Sequence, residues 1–404
     1  TTRNVRLMRI GMPTDTYKPY ISGVTNHVAL NKHTMEADGH EVFVFTFGGQ
    51  NYIDEEQNII RSPAIPIADT GYNLSFRYSR HAQEILSTVD IAHVHHPFAS
   101  GRLALRYCQN HNIPIVFTNH TRYDLYAQAY LPHLPEAIPE AFLQAFLPSF
   151  CRQCDLVIAP SPSLKELLSD FGVDAPIKIV PKGVDLNSFR PVDKGFRKEE
   201  IGIDNNDLVL IYVGRLSPEK SLTMLLRAFA GAQAAVENLK LIIVGEGSEF
   251  DNLRDWCERV NISHAVRFTG KAAYHTVYKY LNMADAFVTP SVSEVHPLSI
   301  IEGMAVGLPA IGIESPGVGD IIQHDVNGML CRNDLADFTA RMVRLMLDDT
   351  LRIRLASGAT QTAKHYDIRR TSSQLHNHYQ ELIDSTMQNS IKRDKKLNIG
   401  RLFR

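Results

Sequence analysis

Short runs of Val, Ile and Leu alternate with longer amphipathic stretches along most of this chain. Such near-continuous apolar runs are typical of strands buried on both faces of a parallel sheet. Between them, apolar residues recur at helical spacing, as they do from Val24 to Ala37. The pattern predicts an α/β fold with helices on both faces of each sheet. The predicted strands are Met8–Met12, Glu41–Phe45, Ile91–Val94, Pro114–Phe117, Leu156–Ala159, Lys178–Val180, Leu208–Val213, Leu239–Val244, Val266–Phe268, Ala286–Val288 and Ala310–Ile313.

The alternation stops at a charged, turn-rich segment, Arg190–Asp207, and then begins again. A chain of 404 residues is too long for one ordinary core. We therefore predict two doubly wound domains, residues 1–192 and 193–365, with ligands binding in a cleft at the carboxyl ends of the strands. A helix at about residues 366–385 is expected to pack back on the first domain, and a basic tail, 386–404, follows it.

The composition excludes several classes of protein. The net charge is −2, which argues against a nucleic-acid binder. No apolar run has membrane-spanning length, and the N-terminus lacks the apolar core of a signal peptide. Five cysteines without framework spacing suit a reducing compartment. We therefore expect a cytoplasmic protein, in which Cys151 and Cys154 are buried thiols.

Two carboxylates, Glu294 and Glu302, are separated by seven residues, and the segment between them changes from loop to helix. Glu294 follows a predicted strand, whereas the apolar spacing from Leu298 onward is helical. The start of a helix offers unpaired N–H groups and the positive end of a dipole to an anionic or hydroxyl-rich ligand. Glu302, two turns further along, could contact another part of the same ligand. Taken alone, the pair would more often be solvated surface carboxylates.

Three further loops follow predicted strands and carry suitable chemistry. Arg215 and Lys220 flank a loop after the seventh strand, where a guanidinium fork and a mobile ammonium suit a diphosphate. Gly23 lies between the first strand and its helix, where backbone amides can approach an anion without a Cβ in the way. His120 lies at the carboxyl end of the fourth strand. Taken singly, these residues are explained as solvated cations, a turn glycine and a structural histidine.

A glycine pair, Gly245 and Gly247, follows the strand Leu239–Val244 and resembles the start of a dinucleotide-binding loop. Phe250 stands where the third glycine of that fingerprint would be, and the first strand of the chain lacks the motif. The pattern therefore argues against a nicotinamide-linked enzyme.

In their order along the chain, these segments resemble family 4 of the retaining glycosyltransferases, which have the GT-B fold of two facing Rossmann-like domains. The resemblance extends from about Met8 to about Tyr379. Its most specific elements are Glu294–Pro309, Gly214–Leu216 and Lys220. Supporting elements are Gly183–Pro191, Ala284–Ser291 and Asn327–Gly328.

The resemblance implies roles in binding the nucleotide part of a donor. Arg215 and Lys220 would hold its diphosphate and neutralise the charge of the leaving nucleotide. Gly23 would present an amide to the same diphosphate. Glu302 would accept hydrogen bonds from the ribose hydroxyls.

The resemblance also implies roles at the donor sugar. Glu294 and the loop formed by His296, Leu298 and Ser299 would bind the sugar hydroxyls. His120 would lie beside the reacting face of the sugar. The implied catalytic residues are therefore His120 and Glu294, together with the two cations that hold the diphosphate.

The family transfers a sugar from an activated nucleotide with retention of configuration and needs no metal. No carboxylate of the constellation is an evident nucleophile, which fits a front-face displacement in which the departing phosphate helps to take the acceptor's proton. Catalysis would then depend on charge stabilisation and positioning. The resemblance therefore implies a hexosyltransferase that uses a UDP-sugar, preferably UDP-glucose, with no metal or other cofactor.

The chain departs from the family pattern at Val295–Pro297, where members usually carry a glycine-rich pair. Pro297 has no N–H, so one amide often offered to the sugar is absent, and His296 could substitute for it. Two rival hypotheses remain. One is a nucleotide-sugar epimerase of the same fold, for which no acid–base residues at the sugar's C2 can be named. The other is a catalytically silent nucleotide-sugar-binding protein, which only the altered loop supports.

The acceptor is less well defined than the donor. The segments Thr118–Tyr126 and Cys154–Ser161 look like those of diacylglycerol glucosyltransferases. A lipid-linked saccharide or polysaccharide precursor competes with diacylglycerol as the acceptor. The basic tail could attract an anionic membrane and give peripheral association with the inner face of the cell membrane, although a solvated end is the simpler explanation.

Overall fold

A computed structural model of the protein describes residues 6–49, 52–66, 73–122, 145–192 and 197–402. The chain divides into two compact units. Unit 1 is built from the described residues up to His120, from 145–181 and from Ile368 onward, and unit 2 is built from 121–122 and Lys182–Asp367. The chain therefore passes from unit 1 into unit 2 and returns to unit 1 for its last helix.

Strands and helices alternate in both units. The strands of unit 1 are β1 (Arg9–Pro13), β2 (Glu41–Phe47), β3 (Ile59–Ser62), β4 (Ile65–Pro66), β5 (Asn73–Leu74), β6 (Ile91–Val94), β7 (Ile115–Thr118), β8 (Leu156–Ala159) and β9 (Ile177–Ile179). Those of unit 2 are β10 (Leu208–Val213), β11 (Leu239–Val244), β12 (Val266–Gly270), β13 (Ala286–Thr289), β14 (Ala310–Ile313) and β15 (Gly328–Cys331). The helices include α1 (Gly23–Ala37), α2 (Arg80–Leu86), α3 (Ala99–Asn110), α4 (Pro162–Asp170), α5 (Leu222–Ala235), α6 (Phe250–Arg259), α7 (Val277–Leu281), α8 (Leu298–Ala305), α9 (Leu335–Leu347), α10 (Asp349–Ala363) and α11 (Ile368–Leu402). Residues 145–151 are also helical.

Each unit contains one parallel sheet. In unit 1 the strand order is β3-β2-β1-β6-β7-β8-β9, and β4 pairs with β5 in a separate antiparallel ribbon. In unit 2 the order is β12-β11-β10-β13-β14-β15. The order reverses beside β1 and beside β10, which makes these positions the topological switch points where ligands of such sheets bind. The loops that follow β10 and β13 therefore lie next to each other.

Apolar side chains from both sheet faces form the cores. In unit 2, one cluster includes Leu210 and Phe229 and a second includes Ile211 and Ile301, so neighbouring residues of β10 serve opposite faces. In unit 1, Tyr379 of α11 joins the core that contains the β1 and β2 side chains. The last helix is therefore part of the core of unit 1.

The predicted α/β class with doubly wound parallel sheets is confirmed, and β6, β8, β10, β11 and β14 begin and end at the predicted residues. The long segment of unit 2 is Lys182–Asp367, whereas the second domain was predicted to begin at residue 193. Helix α11 continues through the predicted tail to Leu402, but the side chains from residue 390 onward lie outside the described part of the structure. No helix among the described residues has the length and apolar character needed to span a bilayer.

The predicted buried thiols are confirmed. All five cysteines are buried and none forms a disulfide. Burial raises the pKa of Cys151 to about 12 and also raises that of Cys154. Neither thiol is therefore ionised near neutral pH, whereas the reactive form of a cysteine is the thiolate.

Candidate functional site

The loop between β13 and α8 holds Glu294 beside a lysine from the neighbouring loop. Lys220 ends a single 3₁₀ turn, Pro218–Lys220, which follows β10. Its Nζ donates to Oε1 of Glu294 at 2.6 Å. The contact exists because β10 and β13 are paired, so that their carboxyl ends lie at the same edge of the sheet.

A second lysine, Lys182, lies close to this ion pair. Lys182 is 6% exposed, and burial lowers its pKa to about 8, opposed by the charge of Glu294 and assisted by that of Lys220. Burial alone would raise the pKa of Glu294, but Lys220, a hydrogen bond from Ser291 and the charge of Lys182 together hold it below its ordinary value. The loop therefore presents an ionised carboxylate between two ammonium groups.

Sequence reasoning missed both Lys182 and Ser291. Lys182 follows β9, the edge strand of unit 1, yet it belongs to unit 2. Each is a polar residue shortly after a strand, and this position is the signal in the sequence that could have indicated a site residue.

Arg215 lies on the loop that follows β10. Its Nη2 is 3.3 Å from Oε1 of Glu219, whose side chain is buried and also accepts a hydrogen bond from Ser217 Oγ at 2.6 Å. The backbone oxygen of Glu219 accepts from Ser293 Oγ at 3.1 Å, which joins this loop to the one that carries Glu294. Arg215 is therefore anchored near the Lys220–Glu294 pair, with 39% of its side chain exposed.

The glycine pair after β11 supports the Arg215 loop. Gly245 and Gly247 have φ values of 150° and 159°. A Cβ on either residue would lie 1.9 Å from the carbonyl oxygen of Gly214 or 2.1 Å from that of Leu216. The two glycines are needed for close approach of two backbones, which explains the motif without a dinucleotide.

Helix α8 starts without a side-chain cap. Its N-cap residue is Pro297, which makes no capping hydrogen bond, so the first amides, including those of Leu298 and Ser299, have no capping side-chain acceptor. His296 is buried against the ring of Tyr366, with ring centroids 5.3 Å apart, and its Nδ1 has no hydrogen-bond partner within the structure. Burial, assisted by the charge of Lys182, lowers the pKa of His296 to about 3, so its ring is neutral.

Glu302 lies further along α8 and is 4% exposed. The hydroxyl of Tyr274 donates to its Oε1 at 2.9 Å. Burial raises the pKa of Glu302 to about 7, although this hydrogen bond lowers it. Tyr274 is a further site residue that sequence reasoning missed, because it lies on a short 3₁₀ turn with no motif around it.

The two remaining predicted residues lie in unit 1. Gly23 is the first residue of α1, and a Cβ there would meet no atom within 4 Å, so its surface is open. His120 follows β7 and is 5% exposed, with its Nε2 2.9 Å from Nδ1 of His95. Gly23 therefore follows β1, at the switch point of the unit 1 sheet, whereas His120 follows β7, one strand beyond β6.

Unit 2 thus brings together Arg215, Lys220 and Glu294, with Glu302 on the helix that begins beside them. Cations, an uncapped helix start and two carboxylates suit a ligand that combines phosphates with hydroxyl groups. Oε1 of each carboxylate already has a partner, Lys220 for Glu294 and Tyr274 for Glu302.

The sequence matches two family models. A model described as "Glycosyl transferases group 1" matches residues 193–362, and one described as "Glycosyltransferase Family 4" matches residues 21–188. The chain is 31% identical, over 332 residues, to an alpha-monoglucosyldiacylglycerol synthase of Streptococcus pneumoniae, covering 80% of this chain and 75% of the relative. It is 27% identical over 406 residues to a protein of the same name from Acholeplasma laidlawii, covering 97% and 100%.

A solved structure shares the fold. HepE of Anabaena, in complex with UDP-glucose, superposes with a TM-score of 0.73 at 19% identity, covering 95% of this chain and 100% of HepE. At this level of identity, the similarity shows a common architecture of the two units.

Proposed function

The chain belongs to the family 4 glycosyltransferases and has the predicted GT-B fold, and from this premise we propose that it transfers glucose from UDP-glucose to a diacylglycerol-type lipid, with retention of configuration and without a metal. The observation that carries the proposal is the cluster of Lys182, Lys220 and Glu294 beside the uncapped start of α8. The cluster offers positive charge for a diphosphate and an ionised acceptor for sugar hydroxyls.

The similarities support the choice of substrates. The relatives from S. pneumoniae and A. laidlawii are both named for the synthesis of alpha-monoglucosyldiacylglycerol, which favours glucose as the sugar and diacylglycerol as the acceptor. HepE was solved with UDP-glucose, which favours UDP as the nucleotide. The relatives described above are named as synthases, so the epimerase and silent-binder hypotheses gain no support from them.

The geometry of unit 2 supports this donor, because it offers partners for phosphates, a sugar and a ribose. Lys182, Arg215 and Lys220 supply three cations for two phosphates, so the leaving nucleotide can be neutralised without a metal. Lys220 would contact the diphosphate while Glu294 accepts hydrogen bonds from the sugar. Glu302 would accept hydrogen bonds from the ribose, which favour its ionised form and lower its pKa.

Retention requires attack on the face from which the nucleotide departs, or a covalent intermediate. Glu294 is ion-paired with Lys220 and Glu302 is bonded to Tyr274, so neither carboxylate is proposed as a nucleophile. We therefore propose a front-face displacement, in which a donor phosphate oxygen takes the proton of the attacking acceptor hydroxyl. The roles that the resemblance implies for Gly23 and His120 are part of this proposal.

Donor binding is tested by calorimetry without added metal, titrating UDP, GDP, ADP and their glucose conjugates. We expect selective binding of UDP and UDP-glucose. Glu302→Ala should weaken nucleotide binding, whereas Arg227→Ala, which removes an exposed cation on α5, should not. The absence of any nucleotide binding would contradict the proposal.

Transfer is tested with diacylglycerol and with lipid-linked saccharides as acceptors, in buffer containing EDTA, with the product anomer assigned by NMR. We expect an α-linked glucosyl product from α-linked UDP-glucose. Arg215→Ala should lower kcat by about 100-fold, the effect of removing one transition-state charge contact, while Arg227→Ala keeps the wild-type rate. Tight donor binding with no turnover on any acceptor would instead favour the silent-binder hypothesis.

A further inference from the structure

Three buried histidines of unit 1 face one another. His27 lies on α1, His95 follows β6 and His120 follows β7, and one ring nitrogen of each lies within 4.8 Å of the others. Nδ1 of His95 is 2.9 Å from Nε2 of His120, and the His27 and His120 ring centroids are 5.0 Å apart. The residues are distant in sequence, and they meet because β1, β6 and β7 are neighbours in the sheet.

We propose that His27, His95 and His120 bind a single Zn²⁺ ion. Three imidazoles form a typical zinc ligand set, with the fourth tetrahedral position left to water or another ligand, and they suit Zn²⁺, Cu²⁺ or Ni²⁺ far better than Mg²⁺ or Mn²⁺. Zinc–nitrogen bonds of about 2.1 Å place tetrahedral ligand nitrogens about 3.4 Å apart. The nitrogens here lie within 4.8 Å of one another, and the 2.9 Å between Nδ1 of His95 and Nε2 of His120 would have to open by about 0.5 Å for both to bind the ion.

The neighbouring histidines hold the cluster but point elsewhere. The ring of His93 lies 4.3 Å, centroid to centroid, from that of His95, and its nitrogens bond to Thr118 Oγ1 and to the Tyr379 hydroxyl. The backbone N–H of Asp15 donates to Nδ1 of His96 at 3.2 Å. His93 and His96 therefore act as supports. Among the three ligands, His95 and His120 share a hydrogen bond and the amide of Asn31 lies 3.3 Å and 3.4 Å from the ring nitrogens of His27, so these contacts rearrange when an ion binds.

The effect expected of zinc on glucose transfer rests on the proposed function. A bound ion would bind a ring nitrogen of His120, the residue that the proposed function puts beside the donor sugar. The reaction itself needs no metal, so zinc should act as an inhibitor that EDTA removes. Binding of zinc can be measured without any assay of transfer, which separates the two ideas.

The test is a titration of the EDTA-treated full chain with Zn²⁺ by calorimetry and with Co²⁺ by visible absorption. We expect one ion per chain and a cobalt spectrum of a four-coordinate, nitrogen-rich site. His27→Gln should weaken zinc binding by about 100-fold or more, because outer-shell partners alone are worth 10–100-fold. His33→Gln removes an exposed histidine from the same helix and should bind as the wild type does.

Several outcomes are informative. Absence of stoichiometric binding, or equal binding by the two variants, would overturn the proposal. The wild-type cobalt spectrum decides the matter if His27→Gln does not fold, because octahedral coordination would contradict a three-histidine site. Specific binding that leaves transfer unaffected would support the zinc site and contradict the role proposed for His120.

Discussion

Replacement of Glu302 by glutamine should stabilise unit 2, relative to the wild type, more at high pH than at low pH. The carboxyl is 4% exposed, and burial raises its pKa to about 7 from an ordinary value of 4.5. Between these values the folded state binds more protons than the unfolded state. The free energy of unfolding therefore falls as the pH rises through this window, and the loss is complete above about pH 7.

The magnitude follows from the shift in pKa. A difference between 4.5 and about 7 corresponds to a destabilisation of about 3 kcal/mol above pH 7 and about 1 kcal/mol at pH 5. Glutamine does not ionise and keeps an oxygen for the Tyr274 hydroxyl. Its buried amide adds a penalty that is the same at every pH. The change between pH 5 and pH 8, about 2 kcal/mol, therefore reports the carboxyl alone.

The assay is urea unfolding followed by tryptophan fluorescence. Trp256 is the only tryptophan of the chain and lies on α6, so the signal reports the unit that contains Glu302. Tyr274→Phe is the matched variant, because it removes the hydrogen bond that lowers the pKa of Glu302 and should steepen the pH dependence. The reasoning is refuted if the difference between Glu302→Gln and the wild type is the same at pH 5 and pH 8.

Three further predictions concern buried charge and the tail. Lys182→Met should stabilise unit 2 at pH 7 by up to about 3 kcal/mol, because a buried lysine with a pKa of about 8 destabilises the folded unit while it is charged. Urea unfolding measures this gain, which should vanish above about pH 10.5, where the lysine is neutral in the unfolded chain as well. UDP-glucose binding should release protons from Glu302 below pH 7 and take up protons at Lys182 above pH 8. Calorimetry in buffers of different ionisation enthalpy measures the number of protons exchanged. Proton exchange of the same sign at both pH values would contradict the prediction. Truncation after Ile391 should weaken binding to anionic vesicles, mainly at low salt, and unchanged cosedimentation would exclude the tail.

The sheets were predictable because their strands are buried on both faces and read as continuous apolar runs. The edge strand β3 was missed because Arg61 and Ser62 interrupt its apolar pattern, and β15 was missed because it begins with Gly328, a residue that indicates a turn. The neighbouring positions of Lys220 and Glu294 were also within reach of sequence reasoning. Each follows a strand, and the carboxyl ends of all strands in a parallel sheet lie at the same edge.

Other contacts of the site depend on packing that the sequence does not encode locally. The hydrogen bond from Tyr274 to Glu302 joins a 3₁₀ turn to a helix, and nothing near Tyr274 marks it as a site residue. The three-histidine cluster depends on the order of strands in the sheet, which no single histidine indicates. Spatial pairs of this kind require the fold before they can be recognised.

Burial and neighbouring charges decide which side chains of unit 2 are ionised. Burial shifts Lys182, His296 and Glu302 toward their neutral forms, and Glu294 stays ionised because two lysines surround it. Apolar residues of similar volume would make the unbound unit more stable. A diphosphate beside Lys182 and ribose hydroxyls beside Glu302 would restore both charges. The groups that destabilise the unbound protein are therefore the ones that the proposed donor would stabilise, so stability and donor affinity should change in opposite directions when either residue is replaced.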